Sequence, residues 1–496
     1  MLFYVKYFQP IWNKGKQKTK PVTTKIKLME SIEDYILRIT KLANRNKELN
    51  EQLHGLVSRY ELLQSQNEKY LNLLSKHSYE ELEERLKSPK QKLKKFKMAS
   101  VLFANVHGFD ELSSRMDAQR LIDTLDELYR DFDRIAKKYN IVRIKTIGDS
   151  FLFAAGILEE NRTNPIEIVR AALEMQWVAK KKIVNGDKDA FWKVSIGIHT
   201  GPVFGKSTGK KSVPYTISGE SANVATRVGR ATKPGDINIS VMTYELVKEF
   251  FEFESMGEIP VKYNGSVEMH KVLGILPEFR AEDDPLDVNR KFRVKYGLIQ
   301  FLDIQEELLD IMEKKLPSNL YYHNIKHTID VITEVELIGW AEGLKEEDIF
   351  LLKLAALFHD SGHTISYKDH EDHGAQIARD ILTNYGYPED QIETVCRLIM
   401  ATKFPPSPKD KLEEVICDSD LDYLGRSDFI PVSNLLYKEL KENNMIGSID
   451  EWNMLQLNFI RKHQYFTETA RNLREVNKKQ QIERIKNLLK ESIEKE

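Results

Sequence analysis

With 496 residues the chain is too long for one ordinary domain and implies two to four compact units. Apolar residues at 41% can build real cores, charged residues at 30% suit a soluble protein, and a formal net charge of -2 gives no general attraction to nucleic acid. The two cysteines, Cys396 and Cys417, form no CxxC pair, which excludes a disulfide framework and suits a cytoplasmic setting.

Residues 1–29 carry Lys6, Lys14, Lys16, Lys18, Lys20, Lys25 and Lys27 with no acidic residue, and Phe3, Tyr4, Tyr7, Phe8 and Trp12 stand at the front. Two readings stay open for this tail: plain disorder, or weak contact of a basic, aromatic segment with anionic lipid headgroups. It lacks a continuous apolar stretch and a small-residue cleavage site, so it does not read as a signal peptide. No run approaches the ~20 apolar residues that span a bilayer.

From 32 to 74 the apolar pattern repeats in heptads. Position a is Ile32, Ile39, Asn46, Leu53, Tyr60, Asn67 and Leu74; position d is Tyr35, Leu42, Leu49, Leu56, Leu63 and Tyr70. Such a run predicts a coiled coil, and asparagines at a positions favour a parallel, in-register homodimer. One long helix packed on its own domain is the alternative. The charged stretch 74–97 is broken at Ser88-Pro89, so coiled coil and connector together occupy 30–97.

Residues 98–276 alternate Val-, Ile- and Phe-rich runs (VLFANV, IVRIKTI, SFLFAAG, WKVSIGI, INIS) with helical stretches, the pattern of a sheet with helices packed on it. The polar stretch 277–289 reads as a linker, and 290–496 reads as a string of amphipathic helices, an all-α domain.

Three segments of the α/β region carry candidate chemistry. In 101–109 (VLFANVHGF) a strand runs into a Gly turn, and backbone N–H groups around Gly108 and Phe109 at a helix start could cradle a polyphosphate. In 144–153 (IKTIGDSFLF) Gly148 and Asp149 form a tight hairpin that puts the Asp149 carboxylate at the turn. In 215–227 (YTISGESANVATR) a strand ends at Gly219 and a helix follows, with Asn223 and Arg227 one turn apart on one face. Each alone is a common surface feature. In this order, and with 196–202 (IGIHTGP), they closely resemble the catalytic domain of class III adenylate and guanylate cyclases.

That resemblance implies an α+β ferredoxin-like βαββαβ core acting as a head-to-tail dimer, with two divalent metals, Mg or Mn, held by two carboxylates. Asp149 matches the second carboxylate. The first falls at Asn105, a neutral side chain and a poorer ligand for Mg. Lys145 and Thr216 match the residues that read the base; a Lys donor suits adenine, so the substrate expected is a nucleoside triphosphate, ATP ahead of GTP. Asn223 and Arg227 match the pair that orients the ribose and stabilises developing phosphate charge. Lys262 matches the triphosphate lysine more loosely.

Six of the twelve histidines fall between 323 and 373. His323 and His327 stand i,i+4 on a helix, His359-Asp360 closes an apolar helical run, and Asp418 follows another apolar turn; such imidazole and carboxylate sets bind Fe, Mn, Zn or Mg. The set resembles the HD superfamily of metal-dependent phosphohydrolases. Carried over, His327, His359, Asp360 and Asp418 would hold a metal, and His323 would protonate the leaving oxygen. His363 and His370 would serve a second metal or a phosphate, although a position often His in related sequences is Phe404 here.

The fold expected is therefore multidomain: an N-terminal coiled coil, an α+β ferredoxin-like cyclase domain and an all-α HD domain. The function expected is conversion of ATP to cyclic AMP and pyrophosphate, joined to a phosphohydrolase. The alternative is a degenerate cyclase domain that binds nucleotide and regulates the HD domain.

Overall fold

The computed structural model describes residues 93–493 apart from 109–116, 148, 182, 185–186, 208–214 and 261–264. The basic tail, the heptad segment and nearly all of the charged connector lie outside the described residues.

The first strand, β1 (Lys94–His107), begins earlier than the sequence pattern places it, and from Ala99 to Ala104 it is buried on both faces, as a central strand must be. Helix α1 (Ala118–Lys138) starts at Asp117, whose carboxylate accepts from the Gln119 N–H, and ends with Lys137 and Lys138 in its last turn. Leu121, Leu128, Phe132 and Ile135 recur at helical spacing and are buried. Strands β2 (Val142–Ile147) and β3 (Ser150–Ala155) form the expected hairpin, with Ile147 opposite Ser150.

Helix α2 (Asn164–Lys181), the small hairpin of β4 (Ile183–Val184) and β5 (Asp187–Phe191), and the long β6 (Lys193–Ser207) come next. Then follow β7 (Tyr215–Ser218), α3 (Glu220–Ala231), β8 (Ile237–Ser240), α4 (Val241–Val247), β9 (Phe251–Pro260) and β10 (Ser266–Ile275). The sheet order is β2-β3-β1-β6-β8-β10-β9, with β7 also on β6; β6 and β8 are parallel and the other pairs antiparallel. Its first four strands, with α1 and α2, trace the βαββαβ core.

One face of the sheet carries α1 and α2 over Leu102, Ala104, Phe151 and Phe153. The other face carries α3. A Cβ on Gly197 of β6 would stand 1.9 Å from the Gly229 backbone nitrogen, and a Cβ on Gly229 would stand 2.5 Å from Phe103. Two glycines thus let α3 lie directly on β1 and β6, which sets the height of its side chains above the sheet.

The stretch 277–289 differs from the expected linker. A 3-10 turn (Pro277–Phe279) and an isolated bridge between Arg280 and Val288 fold it back, and Phe279 and Val288 are buried in the α/β core. Aromatic burial outweighs its polar composition. It delivers the chain to α5 (Arg290–Lys315), whose first turns complete the α/β domain. Phe292 is 1% exposed, with its ring 5.1 Å from Phe250 and 6.0 Å from Phe279. The Tyr296 hydroxyl donates to Glu167 at 2.6 Å, and the buried Glu167 carboxyl is raised above its usual range by desolvation, against hydrogen bonds from Tyr296 and Thr163. Arg162 pairs with Asp303 and, at 2.7 Å, with Glu306. One turn further the same helix belongs to a different core: Phe301, Ile304, Leu308 and Met312 pack with the helices that follow.

Those helices are α6 (Ile325–Ala341), α7 (Glu346–Phe358), α8 (His370–Asn384), α9 (Glu389–Ala401), α10 (Lys411–Asp420), α11 (Phe429–Glu442), α12 (Ile449–Lys462) and α13 (Glu468–Ile493). No helix among the described residues is long and apolar enough to cross a membrane. Cys396 and Cys417 are buried and unbonded to each other.

Phe292→Ala is expected to destabilise the α/β domain, not only the helical one, by about 3–5 kcal/mol. Guanidinium unfolding followed by probes in each domain checks this. A second expectation concerns His463, at the end of α12, whose ring lies between Phe459 and Tyr465 with neither nitrogen hydrogen-bonded among the described residues. Burial, helped by the Lys478 charge, lowers its pKa to about 4. The folded value lies below the unfolded one near 6.5, so folding favours the neutral ring. Its contribution is full above about pH 6.5 and is lost as pH falls towards about 4. His463→Leu should flatten the fall in unfolding midpoint across that window.

Candidate functional site

The structure places the site residues expected from the sequence in two regions. In the α/β domain, Asn105 of β1 lies opposite Ser150 of β3, and the Val106 N–H donates to the Asp149 carbonyl at 3.0 Å, which fixes the hairpin turn against β1. The Ser150 hydroxyl stands 2.6 Å from Asn105 Oδ1 and 3.2 Å from Asp149 Oδ1. The two oxygens expected to bind a cation therefore already converge on one small polar group. Asn105 Nδ2 lies 3.2 Å from His107 Nε2, which also meets the Ser195 hydroxyl at 2.8 Å. Burial lowers the His107 pKa, and the Asp149 charge partly opposes this. The Tyr129 phenol is raised by burial and by the same carboxylate.

Cross-strand partners share a face. Lys145 pairs with Leu152, and Leu152 alternates with Ser150, so Lys145, Ser150 and Asn105 occupy the face on which α3 lies. Helix α3 begins after Gly219, whose φ of 128° suits glycine, and Ser221 ties it to β6 by donating to the Pro202 carbonyl at 2.7 Å. Asn223 is exposed and Arg227 partly exposed, with Glu220 3.8 Å from the guanidinium. Strand β7, which carries Thr216, lies beside β2, which carries Lys145. Gly108 follows β1 with a φ of 103°, while Phe109 and Lys262 lie outside the described residues. The polyphosphate cradle expected at 108–109 thus has only its first residue in view.

In the helical domain, the Asn324 cap accepts from the His327 N–H and starts α6, so His327 faces inward. Helix α7 ends at His359, whose Nδ1 meets the Ala356 carbonyl at 2.8 Å and leaves Nε2 for the site. Asp360 Oδ2 lies 3.2 Å from His359 Nε2 and 3.4 Å from His327 Nε2. The fourth group is Asp420, with Oδ1 3.0 Å from His327 Nε2 and 3.5 Å from His359 Nε2.

Asp418 is not in this cluster. It is fully buried on another face of α10, where it accepts from the Phe466 and Thr467 N–H groups and the Thr467 hydroxyl, fixing the start of α13. At 100° per residue, positions 418 and 420 point to nearly opposite sides of a helix. The expectation named Asp418 of the Asp-Ser-Asp run, whereas the structure brings Asp420 to the histidines. Cys417 and Asp420, one turn apart, both line the cleft described below.

Around Asp360 the electrostatics are severe. Burial would raise its pKa, but the His359 and His323 charges hold it well below the usual carboxylate range; burial would lower His359, but Asp360 and Asp420 hold it well above 6.5. Asp360 Oδ2 has no hydrogen bond, nor has either nitrogen of His363, among the described residues. Buried orphans of this kind fit a ligand or ion, and two imidazole nitrogens with two carboxylates form a donor set suited to a divalent transition metal.

His363 and His370 stack at 3.9 Å on the other side, 3.9 and 3.6 Å from Asp360 Oδ1. His323 Nδ1 meets Glu439 Oε1 of α11 at 2.5 Å, and the Glu439 Oε2 atom accepts from the Tyr322 and His323 N–H groups. Glu439 comes from 116 residues away, and no local spacing announces it. Burial alone would lower His323, but Asp360 and Glu439 raise it, which favours a protonated ring. A cleft of about 160 Å³ opens over these groups, lined by His323, Asp360, His370 and Asp420, and also by Tyr423 and Phe404. Phe404 is 67% exposed, with its ring 5.6 Å from Phe459, so it offers the cleft an aromatic surface in place of a ligand.

Comparison with known proteins assigns both regions. Residues 91–274 match the adenylate and guanylate cyclase catalytic domain family, and residues 324–427 match the HD domain family. A membrane guanylyl cyclase of Dictyostelium discoideum is 28% identical over 160 residues, which is 32% of this chain and 11% of that protein. An adenylate cyclase of Mycobacterium bovis is 30% identical over 193 residues, 38% of this chain and 43% of that one. The chain thus spans less than half the length of either relative. Among solved structures, the adenylyl cyclase CyaB from P. aeruginosa is 26% identical with a TM-score of 0.33, over 39% of this chain and 99% of that one.

The geometry separates the two aspartates of α10. Asp420→Asn is expected to weaken metal binding at least tenfold with little change in fold. Asp418→Asn should leave the metal in place and lower stability by about 2–3 kcal/mol, because a carboxylate accepting several buried donors is lost. Metal content after dialysis and urea unfolding, measured on both variants, decide between the assignments.

Proposed function

We propose that this chain, with a cyclase catalytic domain at 91–274 and an HD domain at 324–427, converts ATP to cyclic AMP and pyrophosphate and hydrolyses a phosphate ester at its second site. The observation that carries the first part is the convergence of Asn105 Oδ1 and Asp149 Oδ1 on the Ser150 hydroxyl, on the sheet face that also bears Lys145. A divalent cation held by Asp149 and Asn105 supplies Lewis acidity at a phosphoryl oxygen. The neutral Asn105 favours Mn over Mg, since Mg depends more on carboxylate charge.

The chain's own side chains do the rest. The Lys145 ammonium donates to a ring nitrogen of adenine, and the Thr216 hydroxyl accepts from the exocyclic amine; both donors and acceptors are reversed in guanine. Asn223 holds the ribose, and Arg227 meets the charge that develops on the transferring phosphate. Gly108 and Phe109 belong to the phosphate cradle and Lys262 to the triphosphate. Asn223, Lys145 and Thr216 are all exposed, so a single copy leaves the substrate in water. We therefore take the working form to be a homodimer that closes this face, with the heptad segment holding the copies together in the cytoplasm.

At the HD site His327, His359, Asp360 and Asp420 would hold a metal from among Fe, Mn, Zn and Mg. His323, aimed by Glu439 and with its pKa raised, against burial, by Asp360 and Glu439, gives its proton to the leaving oxygen. His363 and His370 face the other oxygen of Asp360, where a phosphate or a second cation would sit. The loss of a carboxylate at Asn105 supports a second reading, in which the cyclase domain only binds nucleotide and the HD site is the sole enzyme.

The test is mass spectrometry of products from each nucleoside triphosphate, in Mg and in Mn. Cyclic AMP from ATP, stronger in Mn, is the expected result, with loss in Asp149→Ala and a rise of about tenfold or more in Mg for Asn105→Asp. If no cyclic nucleotide forms with either metal and Asn105→Asp restores none, the second reading holds.

A further inference from the structure

We propose that His107 is a positioning residue that turns the Asn105 amide so that its carbonyl oxygen, the only atom of that side chain able to bind a cation, faces Asp149. The proposal rests on the reading of Asn105 and Asp149 as cation ligands.

An asparagine amide has an oxygen that ligates and a nitrogen that cannot, and the two ends are nearly equal in shape. Its neighbours therefore decide which end faces the site. Ser150 does not decide alone: its hydroxyl, 2.6 Å from the amide, can donate to the oxygen or accept from the nitrogen. An imidazole nitrogen without a proton only accepts. His107 Nε2 lies 3.2 Å from Asn105 Nδ2; in the tautomer that carries the ring proton on Nδ1 it accepts from the NH2 end, while the Ser195 hydroxyl 2.8 Å away holds the ring in place. Oδ1 is then left for Ser150, on the side of Asp149.

The opposite orientation would do harm. It would turn the NH2 end towards Ser150, on the side of Asp149, and leave no ligating oxygen of residue 105 beside that carboxylate. A carboxylate at position 105 would present oxygen whichever way it turned. The requirement for His107 therefore exists only because this chain carries an amide there. Positions 105 and 107 lie two apart on one strand face, and Ser195, directly opposite Asn105 on β6, completes the arrangement.

The test is Mn2+ titration of the full chain, following free ion by electron paramagnetic resonance. The relevant site is the binding phase that disappears in Asp149→Ala. His107→Val should weaken that phase about tenfold, and His107→Gln, which keeps an acceptor, should stay within about threefold of wild type. In an Asn105→Asp background, His107→Val should change it less than about twofold, because orientation no longer matters. Equal losses from His107→Val in both backgrounds, or no loss in wild type, would overturn the positioning role alone. If Asp149→Ala removes no phase from wild type, the cation reading of the hairpin fails, and the role of His107 fails with it.

Discussion

Burial of Phe292 in a core that its own helix otherwise leaves is the constraint on which the rest of the molecule hangs. The ring sits among Phe250, Phe279 and the Arg170 guanidinium, so the start of α5 cannot leave the sheet without opening it. One turn on, a Cβ at Gly297 would stand 2.7 Å from the Phe350 ring, so the same helix is seated equally closely on α7. Helix α5 also touches the 3-10 turn (Ser361–Thr364) that carries His363. One continuous helix thus joins the sheet that presents Asn105 and Asp149 to the turn beside His359 and Asp360.

The two sites solve opposite electrostatic problems. Among the described residues the α/β site is short of negative charge: one carboxylate at an exposed turn, one amide, and the remaining described candidates spread over an open face. Such a site gains strength only when something covers it and lowers the local dielectric. The HD site has its charge already crowded and buried. Asp360, Asp420 and Glu439 are balanced by imidazoles, and a cation would replace protons in that balance without a new charge being brought in. Under the function proposed above, a partner surface would complete the first site and an ion the second.

Much of this was legible in the residues. The Gly148-Asp149 hairpin follows from two β-rich runs separated by a turn pair, and α3 follows from a strand, a glycine and an apolar helical period. His327, His359 and Asp360 follow from ligand types at the ends of apolar helices. What failed to show has physical causes. Asp418 and Asp420 differ by two residues, and only the exact phase of α10 against its neighbours tells which one meets the histidines. Glu439 reaches His323 from a helix remote in sequence. The stretch 277–289 looked like a linker because its charges outnumber its apolar groups, yet Phe279 and Val288 determine where it goes. The heptad segment lies outside the described residues and is neither supported nor weakened by them.

The shared helix also bears on how such a chain can be inherited. The two family matches end at 274 and begin at 324, so the stretch between them belongs to neither module by sequence, although Phe279, Val288 and Phe292 within it fill the first core and Phe301, Ile304 and Leu308 the second. A recombination event that joined these modules at their outer limits would have left two open cores. What was passed on as a unit has to include the joint, and substitutions in it are constrained by two partners at once, one for each half of the helix.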